Sequence, residues 1–293
     1  MAKIADLRPS PIAGRGWYEG DARKLARQVD EYLAKADEPE LDGEVLALIA
    51  PHAGHIYSGA TAGFAFRCVQ GLHFDLVAVI SPLHRGGFNT SPLLTTAHQA
   101  YQTPLGAIPV DHQSLYALAK ALEASHLKLA AVAYDEEHSV EIELPFLQRA
   151  LTGEFRLLPL MIASQEPSDA YALGEALAQV LPGRNALMVA STDLSHYRSE
   201  AETDKLDAEM LSQIGRFSPQ GVFQAELSGA GTACGVAAVA AVLTAAKALG
   251  GTRVHVLHHS TSGDVTGEHE QVVGYGAAAV VRGAVSRQSS VLS

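Results

Sequence analysis

Three apolar runs of the sequence each end in a short segment that carries histidine. The runs and the residues that follow them are VLALIA (45–50) with His52 and His55, DLVAVIS (75–81) with His84, and ALMVAST (186–192) with Asp193 and His196. Imidazole is a common metal ligand and the side chain best suited to proton transfer near neutral pH. One such histidine would be most simply a hydrogen-bonded structural residue, whereas three runs that each supply one predict a shared site.

Cys234 is a candidate of a different kind, and it stands in the glycine-rich segment GAGTACGV. Thr232 is placed to cap a helix, which predicts Cys234 in the first helical turn, where the helix dipole stabilises a thiolate. The alternative is a small buried hydrophobic residue, the usual role of a free cysteine and our interpretation of Cys68.

His52, His84 and Cys234 together would supply two imidazoles and a thiolate. Three protein ligands with open positions are typical of a catalytic metal site rather than a structural one. Two histidines and an anion are also similar to the ligand set of non-haem iron(II), although a thiolate favours copper(I) or zinc more than a carboxylate does. The residues therefore predict a metal site and leave its metal open.

Asp193 and His196 predict an oriented general base. A carboxylate can hold one imidazole nitrogen and leave the other for proton transfer. Asp193 could instead only cap a short helix. With Cys234 as nucleophile, the same pair would also serve a cysteine hydrolase.

Four further residues are expected to line the pocket or to support the ligands: His55, His138, Glu141 and Asp264. His138 and Glu141 would share one face of a helix. The other interpretation of this acidic segment is a first helical turn that complements the helix dipole.

Strand-length apolar runs alternate with helix-period segments along the chain, and these elements must position the candidate residues. This alternation predicts one α/β domain over residues 1–283, with helices on both faces of a central sheet. The last two strands, 252–262 and 272–282, have no predicted helix between them, so the sheet should be mixed. Ligands of such sheets bind beyond the carboxyl ends of the strands. Residues 284–293 are expected to form a flexible C-terminal tail.

The composition excludes several functions. Lys and Arg number 21 against 32 Asp and Glu, and this net charge of −11 without a basic cluster argues against nucleic acid or anionic membrane as a partner. No apolar stretch is long enough to span a bilayer, and the N-terminus lacks the apolar core of a signal peptide. We therefore expect a cytoplasmic location.

Six segments, in order, resemble the Memo family, whose prokaryotic members are called AmmeMemoRadiSam system protein B. They are PHAGHIYSG, SPLHRGG, EEHSVEIELPFL, STDLSHY, GTACG and TSGDVTG. The segment GWY (16–18) matches as well, and the resemblance covers nearly the whole chain. The family is similar in fold to the class III extradiol dioxygenases, which use iron(II) and O₂ to open catechol rings.

The resemblance implies roles for particular residues. His52, His84 and Cys234 match the metal-ligand positions, and His196 matches the catalytic histidine. By this resemblance, iron(II) is the first choice of metal, with copper or zinc as alternatives. The expected substrate is a small aromatic molecule. Cys234 stands where the dioxygenases have a carboxylate, which predicts weak cleavage of simple catechols.

The resemblance also implies partners and alternatives. AMMECR-type and radical-SAM proteins are expected as pathway partners. The favoured function is a non-haem metal-dependent oxidoreductase related to the extradiol dioxygenases. The alternatives are a non-catalytic module that binds peptides or proteins, as in animal members of the family, and a cysteine hydrolase that uses Cys234, His196 and Asp193.

Overall fold

The computed structural model describes residues 6–84 and 91–283. The strands in that part of the chain are β1 Leu7–Arg8, β2 Gly43–Ala50, β3 Leu76–Pro82, β4 Leu93–Thr96, β5 Ala100–Thr103, β6 Gly106–Pro109, β7 Leu129–Val132, β8 Arg156–Ile162, β9 Ala186–Ser191, β10 His196–Arg198, β11 Arg253–Thr261 and β12 Val272–Gly283. The helices there are α1 Ala22–Lys35, α2 His55–Arg67, α3 His112–Leu122, α4 Leu144–Ala150, α5 Pro167–Val180, α6 Glu200–Gly215, α7 Pro219–Ser228, α8 Val236–Ala248 and α9 Gly263–Thr266.

A mixed sheet forms the centre of the fold, as the sequence predicted. Its strand order is β10-β12-β2-β9-β3-β8-β4-β7, with β11 beside β12. Strands β2, β9, β3 and β8 run parallel, whereas β12 is antiparallel to β2 and β4 is antiparallel to β8. The four parallel strands are buried along most of their length, which explains why they appear in the sequence as continuous apolar runs.

The parallel pairing brings the carboxyl ends of β2, β9 and β3 to one edge of the sheet. Ala50 at the end of β2 pairs with Ser191 at the end of β9, so these neighbouring strands finish in register. His52, Asp193 and His84 each follow the end of one of the three strands by two residues. The sheet therefore delivers these three side chains to the same edge.

Helices cover both faces of the sheet, as predicted. α1, α2 and α4 pack together on one face, and α3, α5 and α8 pack together on the other. α5 and α8 approach each other so closely that a Cβ on Gly174 would lie 2.6 Å from the carbonyl oxygen of Ala241. The buried apolar side chains form one core that extends from Ile12 to Val281, as expected of a single domain.

Helix α8 begins later than the sequence predicted. The expected cap at Thr232 would have placed Cys234 in the first turn, but the N-cap is Gly235 and the helix starts at Val236. Gly235 lies so close to β9 that a Cβ there would meet the carbonyl oxygen of Ser191 at 2.6 Å. Cys234 lies in the turn before the helix, where its backbone N–H donates to the carbonyl oxygen of Asp193 at 3.2 Å.

Two other expectations concern the ends of the chain and the membrane. The proposed tail, residues 284–293, lies outside the described residues. Within 6–84 and 91–283, no helix is both long and apolar enough to cross a bilayer.

A second, small sheet of β1, β5 and β6 was not expected, because its strands are only two to four residues long. Its fully buried Arg8 donates to both carboxylate oxygens of Asp135, at 3.0 and 2.7 Å. Arg8 also donates to Glu141 Oε2 at 2.7 Å and to the carbonyl oxygen of Glu137 at 2.7 Å. This sheet therefore fixes the segment that carries Glu137 and His138.

Replacing Arg8 with Met should lower the free energy of unfolding by about 3–5 kcal/mol, because two buried carboxylates would lose their counter-charge. Urea titration followed by far-UV circular dichroism measures the change. Arg149→Met is the matched control, since Arg149 makes a similar two-oxygen contact with Asp30 at the exposed surface. Its loss should be about 0.2–1 kcal/mol. Equal losses in the two variants would show that the buried pairs of Arg8 do not hold this region.

Candidate metal centre

Three imidazoles meet at the carboxyl edge of the parallel strands. His52 follows β2, His84 follows β3, and His138 comes from the segment before α4. Each offers a ligand atom that lies within 4.8 Å of those of the other two. The rings of His84 and His138 are stacked with centroids 4.7 Å apart, and His52 lies edge-on to both. His138, which the sequence placed around the site, thus belongs to the cluster itself.

His52 is oriented by a buried serine. Its Nδ1 lies 2.9 Å from Ser191 Oγ, and that hydroxyl is placed to donate to the carbonyl oxygen of Ser139 at 2.7 Å. The serine then accepts the Nδ1–H of His52, which leaves the lone pair on Nε2. Burial, and then the nearby His138 and His84, hold the pKa of His52 well below its ordinary value. The imidazole is therefore neutral, as a metal ligand must be.

A buried carboxylate, Glu137, lies against the other two imidazoles. Its Oε1 lies 3.1 Å from His84 Nδ1 and 3.2 Å from His138 Nδ1, and its Oε2 accepts the backbone N–H of His84 at 2.6 Å. A carboxylate behind ligating histidines is a common feature of metal sites, because it fixes the ring orientation. Sequence reasoning gave Glu137 no role, although it stands directly before His138.

Cys234 lies beside His52 but outside the three-histidine group. Its Sγ is 3.1 Å from His52 Nε2 and accepts the N–H of Asp193 at 3.2 Å. Burial, and then the charge of Asp193, raise the pKa of the Cys234 thiol. A stabilised thiolate in a helical turn was therefore a wrong expectation for the protein without metal. The role of Cys234 as a metal ligand stays a prediction.

His196 makes its orienting hydrogen bond to the carbonyl oxygen of Leu194. The sequence had predicted Asp193 in this role. His196 Nδ1 lies 2.9 Å from the carbonyl oxygen of Leu194, which accepts its proton and leaves Nε2 basic. Asp193 Oδ1 instead accepts the backbone N–H groups of His52 at 2.7 Å and Ala53 at 3.2 Å. Burial raises the pKa of Asp193 to about 6. The catalytic roles of both residues stay predictions.

The remaining three predicted residues lie around the site without lining its cavity. His55 is buried, with Nε2 3.0 Å from the carbonyl oxygen of Ile142. Glu141 is also buried and binds Arg8. Asp264 is exposed and accepts a backbone N–H at the end of β11. His55 and Glu141 therefore support the walls of the site, whereas Asp264 caps a surface turn.

The three histidines line a cavity of about 670 Å³. His196 and Asp193 line it as well, and four aromatic side chains contribute to its walls: Trp17, Tyr57, Tyr197 and Tyr275. The Trp17 ring lies 4.1 Å from that of His138, measured between centroids. A concave site with aromatic walls and a few convergent polar groups is typical of small-molecule binding.

Comparisons with sequence models, with other proteins and with solved structures each find a match. A sequence model described as "Memo-like protein" matches residues 8–279. A MEMO1 family protein of Pyrobaculum aerophilum is 33% identical over 281 residues, which are 92% of this chain and 97% of the relative. A MEMO1 family protein of Nitrosopumilus maritimus is 29% identical over 275 residues, 92% of this chain and 98% of the relative. An uncharacterized Escherichia coli K12 protein of known structure aligns with 80% of this chain and 99% of its own, with 12% identity and a TM-score of 0.48.

The raised pKa of Cys234 predicts a slow thiol in the metal-free protein. In a Cys68→Ala background, iodoacetamide near neutral pH should alkylate native Cys234 about tenfold or more slowly than the same cysteine in the urea-unfolded chain. Mass spectrometry of timed samples measures both rates. Alkylation that is faster in the native protein would instead indicate an activated thiolate and would favour the cysteine hydrolase.

Proposed function

Since this chain belongs to the Memo family, as its motifs predicted, we propose that it is a metal-dependent oxidoreductase that acts on a small aromatic molecule. One observation carries the proposal: three imidazoles able to hold one ion line a cavity whose walls include four aromatic side chains. Iron(II) is the first choice of metal, with copper and zinc as alternatives.

The donor set fits a transition-metal ion. His52, His84 and His138 supply the imidazoles that such ions prefer. Two donor atoms at about 2.0 and 2.3 Å from one ion are themselves about 3.1–3.6 Å apart. The 3.1 Å between His52 Nε2 and Cys234 Sγ supports Cys234 as a further donor, which would lose its proton on metal binding.

The orienting contacts support this assignment independently of ligand spacing. Ser191 engages Nδ1 of His52, and Glu137 engages Nδ1 of His84. Both rings are therefore fixed through Nδ1, so that Nε2 is the nitrogen presented to an ion.

A bound ion would supply Lewis-acid chemistry and, if it is iron or copper, electron transfer with the substrate. The chain's own contribution is proton transfer and positioning. His196 holds its Nδ1 proton against Leu194, so its basic Nε2 is able to accept a proton from a substrate hydroxyl in the cavity. Trp17 and the 37% exposed Tyr57 offer aromatic surface against which an aromatic ring would pack and exclude water.

The cysteine hydrolase receives less support from the geometry. That mechanism requires His196 to accept the proton of Cys234. The imidazole in contact with Sγ is that of His52, and the thiol pKa is raised rather than lowered.

Metal binding by variants tests the ligand assignment. Chelator-treated protein would be loaded anaerobically with iron(II) or copper(I), dialysed, and measured by mass spectrometry of the metal. His84→Ala and His138→Ala should each bind the ion at least about tenfold more weakly, because each removes one of three imidazoles. His196→Ala should retain the ion, since we assign it proton transfer.

His258→Ala is the control, because His258 stacks on Phe64 away from the cavity lining. The same measurement on Cys234→Ala decides whether the thiol binds metal. Full metal content in both the His84 and the His138 variants would contradict the proposed centre. Loss of metal from the His196 variant would contradict its assignment to proton transfer.

Replacing Glu137 with Gln tests the support of the cluster. Its carboxylate faces two imidazoles at once, so we expect metal affinity to fall about 10–100-fold. Competition with a chromogenic chelator measures the change, and thermal unfolding shows whether the variant is folded. Glu44→Gln is the control, since Glu44 pairs with Arg282 at the exposed surface. Unchanged affinity in the folded Glu137 variant would show that the carboxylate does not orient the ligands.

A further inference from the structure

A second cavity of about 470 Å³ lies beside the metal centre, and His196 lines both cavities. Strand β10 lies between them, because Tyr197 contributes to the first cavity whereas Arg198 contributes to the second. Cys234 lines the second cavity. A molecule bound there would therefore reach the cysteine and the imidazole without passing through the metal-lined cavity.

The second cavity contains a cation that is available to a ligand. In the described part of the chain, no carboxylate forms an ion pair with Arg198, whose side chain is exposed. The carboxylate that also lines this cavity, Glu226, is already occupied. It accepts the hydroxyl of Thr232 at 3.2 Å and the backbone N–H of Ala233 at 2.9 Å. Both oxygens of Glu226 thus face donors on their own wall rather than Arg198, whose guanidinium stays available to a ligand. A guanidinium binds carboxylates with paired hydrogen bonds.

The wall that α7 contributes to this cavity is apolar. Phe223 and Leu227 are four residues apart and share one face of this helix. Both line the cavity together with Val236. Leu227 is 75% exposed. An apolar group of a ligand would cover part of this surface, and an inorganic anion would not.

We propose that the second cavity binds a small organic carboxylate. Its carboxylate pairs with Arg198, and its hydrocarbon part lies against Phe223 and Leu227. The bound molecule contacts His196, the residue to which we assign proton transfer at the metal centre. The proposal does not require an ion at the three histidines, so it stands or fails separately from the proposed function.

Equilibrium dialysis of metal-free protein with radiolabelled hexanoate tests the proposal. Hexanoate should bind to one site, and Arg198→Gln should weaken it about two- to fivefold, the range for an exposed ion pair. Arg216→Gln is the matched control, because it removes the same charge from another exposed arginine that does not line the cavity. Absence of hexanoate binding to the unaltered chain, or equal weakening in both variants, would overturn the proposal.

Further binding measurements show where the ligand lies and which of its chemical groups are recognised. His84→Ala should bind hexanoate as the unaltered chain does, and loss in that variant would place the ligand at the metal centre instead. Leu227→Ser should weaken hexanoate several-fold while leaving the fold intact, since Leu227 is exposed. Hexan-1-ol and inorganic phosphate should each compete poorly with hexanoate. Competition by phosphate at the same concentrations as hexanoate would overturn the assignment to an organic carboxylate.

Discussion

The arrangement of the site depends on the contacts of one buried carboxylate, that of Glu137. It faces the Nδ1 atoms of His84 and His138 and also accepts the backbone N–H and the hydroxyl of Ser139. Burial alone would raise the pKa of Glu137. The hydrogen bond from His84 and the charges of His138 and His84 prevail and hold it below its usual range. The carboxylate is thus ionised in the folded protein, and its contribution to stability is present at neutral pH and lost as the pH falls.

Arg8 connects this carboxylate to the rest of the fold. Its guanidinium binds Asp135, Glu141 and the carbonyl oxygen of Glu137, so that the segment on both sides of Glu137 is fixed by one buried cation. β1, which carries Arg8, belongs to the small sheet rather than to the large one. The large sheet positions His52 and His84, and the small sheet positions the segment that carries His138. The candidate metal centre therefore lies where the two sheets bring their residues together.

His196 links the metal centre with the second cavity. Its tautomer is fixed by a backbone carbonyl, a contact that does not depend on the protonation state of Asp193. Asp193 serves a different purpose, because its carboxylate holds the turn that follows β2 and thereby His52. The residue proposed to transfer protons and the residue that positions a candidate ligand are thus three positions apart in sequence but separate in function.

The sequence by itself determined the sheet, the helices on its faces and the edge at which His52, His84, Asp193 and His196 gather. Continuous apolar runs indicate strands that are buried on both faces, and parallel strands place their carboxyl ends together. Only the tertiary structure decided which side chains of the connecting segments turn towards that edge. Glu137 and His138 lie in a segment without a regular period. Their positions follow from the ion pairs that Asp135 and Glu141, on either side of them, make with Arg8, more than a hundred residues away in the chain. The position of Cys234 likewise depends on the turn before α8, where its backbone N–H donates to Asp193 after β9, and no local pattern encodes such a contact.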